Sequence, residues 1–130
     1  MGDFKKLDVW QLAHKVACEV YRVTATFPRA EGYGLTAQLR RSAASVAANI
    51  AEGCGRRGDV EFSRFVRISL GPATELEYHL LLSRDVGLMT PSAHESLSVQ
   101  VLRMQGMLAG LNRVLKRPKR SALQPIAHSS

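Results

Sequence analysis

Apolar residues recur at helical spacing in four stretches of the chain, and no stretch alternates in the manner of a strand. From Asp8 to Phe27, the residues Val9, Leu12, Ala13, Val16, Val20, Val23 and Phe27 fall on one side, while Gln11, Lys15, Glu19 and Arg22 fall on the other. This predicts an amphipathic helix. Phe27-Pro28 ends it, because the residue before proline is pushed out of the helical region, and Gly32-Tyr33-Gly34 supplies the backbone freedom for a reversal. A second helix is predicted from Leu35 to near Gly53, where Gly53-Cys54-Gly55 offers residues able to close a helix in the left-handed conformation. Asp59 reads as the N-cap of a third helix, with Phe62, Phe65, Val66, Ser69, Ala73, Leu76 and Leu80 on one face. Pro72 lies in its middle, removes a backbone donor and crowds the carbonyl four residues back, so this helix is expected to kink or split just before Pro72. Thr90-Pro91 joins a capping hydroxyl to a proline at the first helical position and opens a fourth helix. Its stripe is Leu97, Val101, Met104, Leu108, Leu111 and Leu115, and Arg117-Pro118 ends it.

Four amphipathic helices with short connections predict an all-α fold, an antiparallel up-and-down four-helix bundle over residues 1–117. Residues 118–130, PKRSALQPIAHSS, read as a disordered basic tail. The length of 130 residues and 45% hydrophobic content suit one domain. A formal charge of +7 turns the surface towards polyanions. No apolar run is long enough for a membrane span and the N-terminus has no signal-peptide pattern, so the expected setting is the cytoplasm, with no membrane partner. Two cysteines make no disulfide framework, and Cys18 is expected near the bundle interior as a small apolar residue.

The second helix separates into three faces. Leu35, Leu39, Ala43, Val46 and Ile50 make a bulky stripe for the core, Gln38, Arg41, Ser45, Asn49 and Glu52 a polar one, and Ala37, Ala44, Ala47, Ala48 and Ala51 a small one. Alanine on a surface can simply favour helix, but a small face beside a bulky one also lets a second backbone approach. On that reading Ala44, Ala47, Ala48 and Ala51 form an oligomer interface. Glu52 lies in the last helical turn, where the dipole disfavours an acid, and calls for a cation such as Arg56, Arg57, Arg64 or Arg67. Arg41, Asn49 and Glu52 are expected to be structural polar residues that tie this helix to its neighbours or to the next subunit.

FKKLDVWQLA near the start and FPRAEGYGLTAQLRRSAASVAANIAEGCGRRGDVEFSRFVRISLGPATELE further on resemble the four-helix-bundle family of intervening-sequence proteins, named for open reading frames in insertions within large-subunit ribosomal RNA genes. The likeness runs from Phe4 to about Leu115 and is densest from Phe27 to Glu77. It implies a cytosolic bundle assembled as a homo-oligomer, a ring of five, and kinship with accessory proteins of diversity-generating retroelements, which bind a reverse transcriptase and nucleic acid. Gly71-Pro72 departs from the family's usual Gly-Ser, which puts the straightness of the third helix in question.

Chemistry-bearing groups are sparse. Glu75 and His79 share a face at i and i+4, but no second such pair completes a metal site. Cys54 has Arg56 and Arg57 nearby to favour its thiolate, yet the helix end before it opposes that. No catalytic triad or phosphate loop is spelled out, so no enzyme, metal or cofactor is expected. The basic residues lead elsewhere. In an up-and-down bundle, Arg56, Arg57, Lys116, Arg117, Lys119 and Arg120 share one end and form a candidate nucleic-acid surface, for RNA or DNA, rich in the guanidinium forks that suit phosphate. Basic residues at a helix C-terminus also serve simply to complement the dipole. The leading reading is a non-enzymatic oligomeric scaffold that binds nucleic acid; the alternative is a protein adaptor without nucleic acid.

Overall fold

The computed structural model describes residues 2–118. Four helices carry the fold, α1 (Asp8–Thr24), α2 (Leu35–Cys54), α3 (Gly58–Asp85) and α4 (Pro91–Lys116), and no strand occurs among the described residues. Each helix packs on the two next to it in a closed circuit, α1 on α2, α2 on α3, α3 on α4 and α4 on α1, and the backbones of diagonal helices do not come within 8 Å between Cα atoms. Pairings across the seams run antiparallel. Arg41 of α2 meets Glu75 of α3 while Gly53 meets Phe65, and Ser63 of α3 meets Asn112 of α4 while Glu77 meets Gln105. The protein is thus an all-α up-and-down bundle.

The core is the sum of the four stripes. Val16 and Val20, Leu39, Val46 and Ile50, Val66, Leu76 and Leu80, and Leu97, Val101, Met104 and Leu108 are all fully buried. Each such side chain contributes roughly 1.5–3 kcal/mol by leaving water. Phe27 closes one end of this core from outside the helices.

Several elements depart from the sequence reading. α1 stops at Thr24, short of Phe27, where the Thr26 amide turns to the Val23 carbonyl and the Phe27 amide to the Thr24 carbonyl, and this turn folds Phe27 inward. Arg40 of α2 crosses to this end of α1, donating to Thr24 Oγ1 at 2.8 Å and lying 4.6 Å from the centre of the Tyr21 ring. α3 is not split at Pro72; it runs unbroken for 28 residues. Val66, Ser69, Ala73 and Leu76 are buried on either side of the proline, so packing on both neighbours holds the helix across the lost hydrogen bond. Exposed Gly71 adds no side chain to the crowding.

Asp59 is not the N-cap of α3. Arg57 takes that position in an extended conformation without a side-chain cap, and Asp59 sits in the first turn. The left-handed residue of this connection is Gly58, at φ 78°, whereas Gly55 closes α2 in the right-handed region. Gly53 has a different task. A Cβ there would lie 2.6 Å from Phe65 Cβ, so this position lets α3 approach the backbone of α2. Thr90 caps α4 as read, accepting from the Ala93 amide at 3.1 Å.

Cys18 does not lie near the bundle interior as expected. Cys54 is buried, its thiol donating to the Gly2 carbonyl at 3.4 Å, and Cys18 is exposed beside His14 Nε2 at 3.6 Å. Cys18 lies four residues from both His14 and Arg22, on the polar stripe of α1, and the buried stripe passes through Ala17 instead.

Candidate nucleic-acid interface

The antiparallel order brings the start of α1, the end of α2, the start of α3 and the end of α4 to one end of the bundle. Arg56 and Arg57 come from the connection between α2 and α3, Lys116 closes α4 and Arg117 follows it. Lys119 and Arg120, with the rest of the expected tail, lie outside the described residues.

These cations differ in what holds them. Arg56 donates to Glu52 at 2.5 Å and its guanidinium lies 5.0 Å from the centre of the Phe65 ring. Arg64 occupies the same ring at 4.7 Å and donates to Glu61 at 3.0 Å. Hydrogen bonding from Arg64 holds the Glu61 carboxyl below the ordinary carboxylate range, and partial loss of water opposes that shift. The Glu61 carboxylate in turn raises Arg64. Arg56 and Arg64 are therefore both matched by acids. Arg57, Arg67, Lys116 and Arg117 join no ion pair among the described residues.

A cleft of about 410 Å³ opens between the first turns of α3 and the last turn of α4, lined by Asp59, Val60, Ser63, Arg67, Leu115, Lys116 and Arg117. Its back wall is ordered by a short relay. Arg67 donates to Ser63 Oγ at 2.9 Å, and Ser63, only 2% exposed, donates to Asn112 Oδ1 at 2.7 Å. Arg67 is the member of this surface that sequence reasoning left out of the site. Its position i+4 from a serine was visible, but the Asn112 that fixes that serine lies 49 residues away.

The polar residues of α2 serve different ends. Glu52 has its cation in Arg56, one of the partners read from the sequence. Arg41 links α2 to Glu75 of α3 and donates to Gln38. Asn49 stays local, donating to the Ser45 carbonyl at 2.9 Å, so within the protomer it does not reach a neighbouring arginine. The alanine face is divided as well. Ala47 is 8% exposed and belongs to the protomer's own core, Ala51 is half-buried, and Ala44 and Ala48 face outward. The bundle twists the buried arc of α2 far enough round to take in Ala47 with Ala43 and Ser42. Among the described residues no group of three or more His, Cys, Asp or Glu is placed to hold a metal ion, and Glu75, paired to Arg41, is already occupied.

Residues 5–110 match the family model of the 23S rRNA-intervening sequence protein. The chain belongs to that family. Among solved structures it is similar to a protein of unknown function from the S23 ribosomal protein family of Bacteroides thetaiotaomicron, with a TM-score of 0.72 and 22% identity, over 84% of this chain and 99% of that one. That likeness establishes the shared fold. No curated protein matches the chain. Among its described residues, this family member has no helix long and apolar enough to cross a membrane.

Proposed function

We propose that this family member is a non-enzymatic scaffold that assembles with copies of itself and binds RNA, or DNA, through phosphate contacts at its basic end. The observation that carries this reading is the set of cations without acid partners among the described residues, Arg57, Arg67, Lys116 and Arg117, gathered at one end while Arg56 and Arg64 beside them are neutralised. Unmatched guanidinium and ammonium groups release counterions from a polyphosphate, and such binding tolerates sequence. Self-assembly repeats the end several times, so weak contacts add through multivalency. The exposed Ala44 and Ala48 support a close approach between copies, and the family resemblance favours five. A partner enzyme such as a reverse transcriptase would then receive nucleic acid held by the ring.

The test is a salt titration of binding to a labelled RNA of arbitrary sequence, with the oligomer followed by light scattering. Binding should fall steeply with salt, by roughly one unit of log–log slope for each phosphate contact. Absence of binding at low salt from an intact oligomer would overturn the nucleic-acid reading and favour the protein adaptor. A monomeric mass at micromolar concentration would overturn the assembly. Ala48→Arg should weaken assembly and leave helicity intact.

A further inference from the structure

The cleft at the basic end is built for more than a phosphate. We infer that the space between α3 and α4 seats one nucleotide unit of an unpaired strand, its phosphate against Arg67, Lys116 and Arg117 and its sugar and base against Val60 and Leu115. This inference rests on the nucleic-acid reading of the same end and adds which form of nucleic acid the end selects.

Volume is the starting point. About 410 Å³ exceeds what a phosphate group occupies, but grooves of about 440 and 450 Å³ elsewhere on the bundle are as roomy, so it is the lining that sets this cleft apart. The lining is of two kinds, cations on one side and the side chains of Val60 and Leu115 on the other.

Val60 is the unexplained member. It lies in the first turn of a helix, between Asp59 and Glu61, and is 81% exposed, so it contributes nothing to the core. An apolar side chain at the mouth of a cationic cleft offers a surface for the face of a base or ribose. Arg67, by contrast, is fixed in advance. The relay through buried Ser63 to Asn112 aims its guanidinium along the cleft and lowers the ordering cost of accepting a phosphate.

Asp59 lines the same cleft and would repel a phosphate placed near it. Its presence orients the ligand. The phosphate is driven to the α4 side, towards Lys116 and Arg117, and the carboxylate is left to accept from an exocyclic amino group, as aspartate does from cytosine N4. A duplex keeps its bases stacked, and the major groove of A-form RNA is too deep and narrow for side chains to read, so a cleft that takes in the face of a base discriminates in favour of the unpaired strand. The cleft contains no aromatic residue, so selection among bases through stacking is not expected.

The experiment compares a twelve-nucleotide unpaired RNA with the same sequence in a duplex, by fluorescence anisotropy on the full chain at fixed moderate salt. The unpaired strand should bind at least tenfold tighter. Val60→Gln keeps the charge and touches no core residue; it should cut affinity for the unpaired strand severalfold and leave duplex binding unchanged. Asp59→Asn should alter the ranking of cytosine-rich against uracil-rich strands, while the lost negative charge raises affinity for unpaired strand and duplex alike. Equal affinity for both forms, with Val60→Gln silent, would overturn the nucleotide cleft while salt-dependent binding kept the broader reading alive. Loss of all binding at low salt would remove both.

Discussion

The two ends of the bundle are built from the same parts and differ in how their charges are spent. At the end where α1 meets α2 and α3 turns into α4, Arg22 donates to Glu19 at 2.6 Å, Arg84 pairs with Asp85 at 2.9 Å, Arg40 is consumed by Thr24 and the Tyr21 ring, and Arg29 alone of these four joins neither an acid nor a ring among the described residues. At the opposite end Arg56 and Arg64 are matched in the same way, but Arg57, Arg67, Lys116 and Arg117 join no ion pair among the described residues. Backbone demands are alike, since each end turns on one left-handed glycine, Gly58 at φ 78° and Gly87 at φ 82°. A bundle needs both ends to close, so closure does not explain the asymmetry. A concentration of unmatched cations at one end, four against the single Arg29 at the other among the described residues, is what binding to a polyanion requires.

The strongest test of this contrast neutralises each end in turn. Arg57→Gln, Lys116→Gln and Arg117→Gln together should weaken RNA binding on the order of a hundredfold at 0.1 M salt and lower the salt slope by about three units. Arg22→Gln with Arg84→Gln should change it little. Equal losses would mean that net charge alone, and not its placement, drives binding.

A structural change confined to the basic end should come next. Gly53→Val places atoms where Phe65 and Phe62 already stand, and should destabilise the fold by about 1–3 kcal/mol, read by thermal or denaturant unfolding. Gly58→Ala and Gly87→Ala meet no neighbour, and each should lose about 1 kcal/mol through left-handed strain alone. Near-equal losses for that pair would sharpen the view that the ends share a backbone design.

Breaking the relay behind the cleft should cost less and be felt in binding more than in stability. Ser63→Ala leaves Asn112 without its donor and should cost about 1 kcal/mol, with a severalfold loss of RNA affinity as Arg67 loses its orientation.

The smallest effect is in the pH dependence. Folding favours the charged form of Glu61, since Arg64 lowers its pKa, so this contribution is complete above the ordinary glutamate value of about 4.3. It fades as pH falls through the lower value of the folded state. Glu61→Gln should therefore flatten the acid limb of the stability profile slightly and leave the neutral range unmoved.

Features that depend on a few consecutive residues were legible in the sequence. Four apolar periods set four helices, Thr90-Pro91 marked the start of α4, and the acid at the end of α2 found Arg56 within one turn. Pro72 was read as the place of a kink or a split, and α3 does not split there, because the strength that carries it across the proline comes from α2 and α4, which no local rule contains. Cys18 was misplaced for a related reason. Which edge of a helix is buried depends on how its neighbours close around it, and residues at the border, such as Ala17 and Ala47, fall inside or outside with that angle.

By itself, the sequence determined an all-α bundle, its chain order and the presence of excess positive charge, because hydrophobic period, capping and charge are properties of short segments. Only the tertiary structure decided which cations remain without acids and that Arg67, Ser63 and Asn112 line up behind one cleft. The reason is physical. Those relations join residues far apart in the chain, and they are fixed by the register in which two helices pack, a quantity that local propensity does not encode.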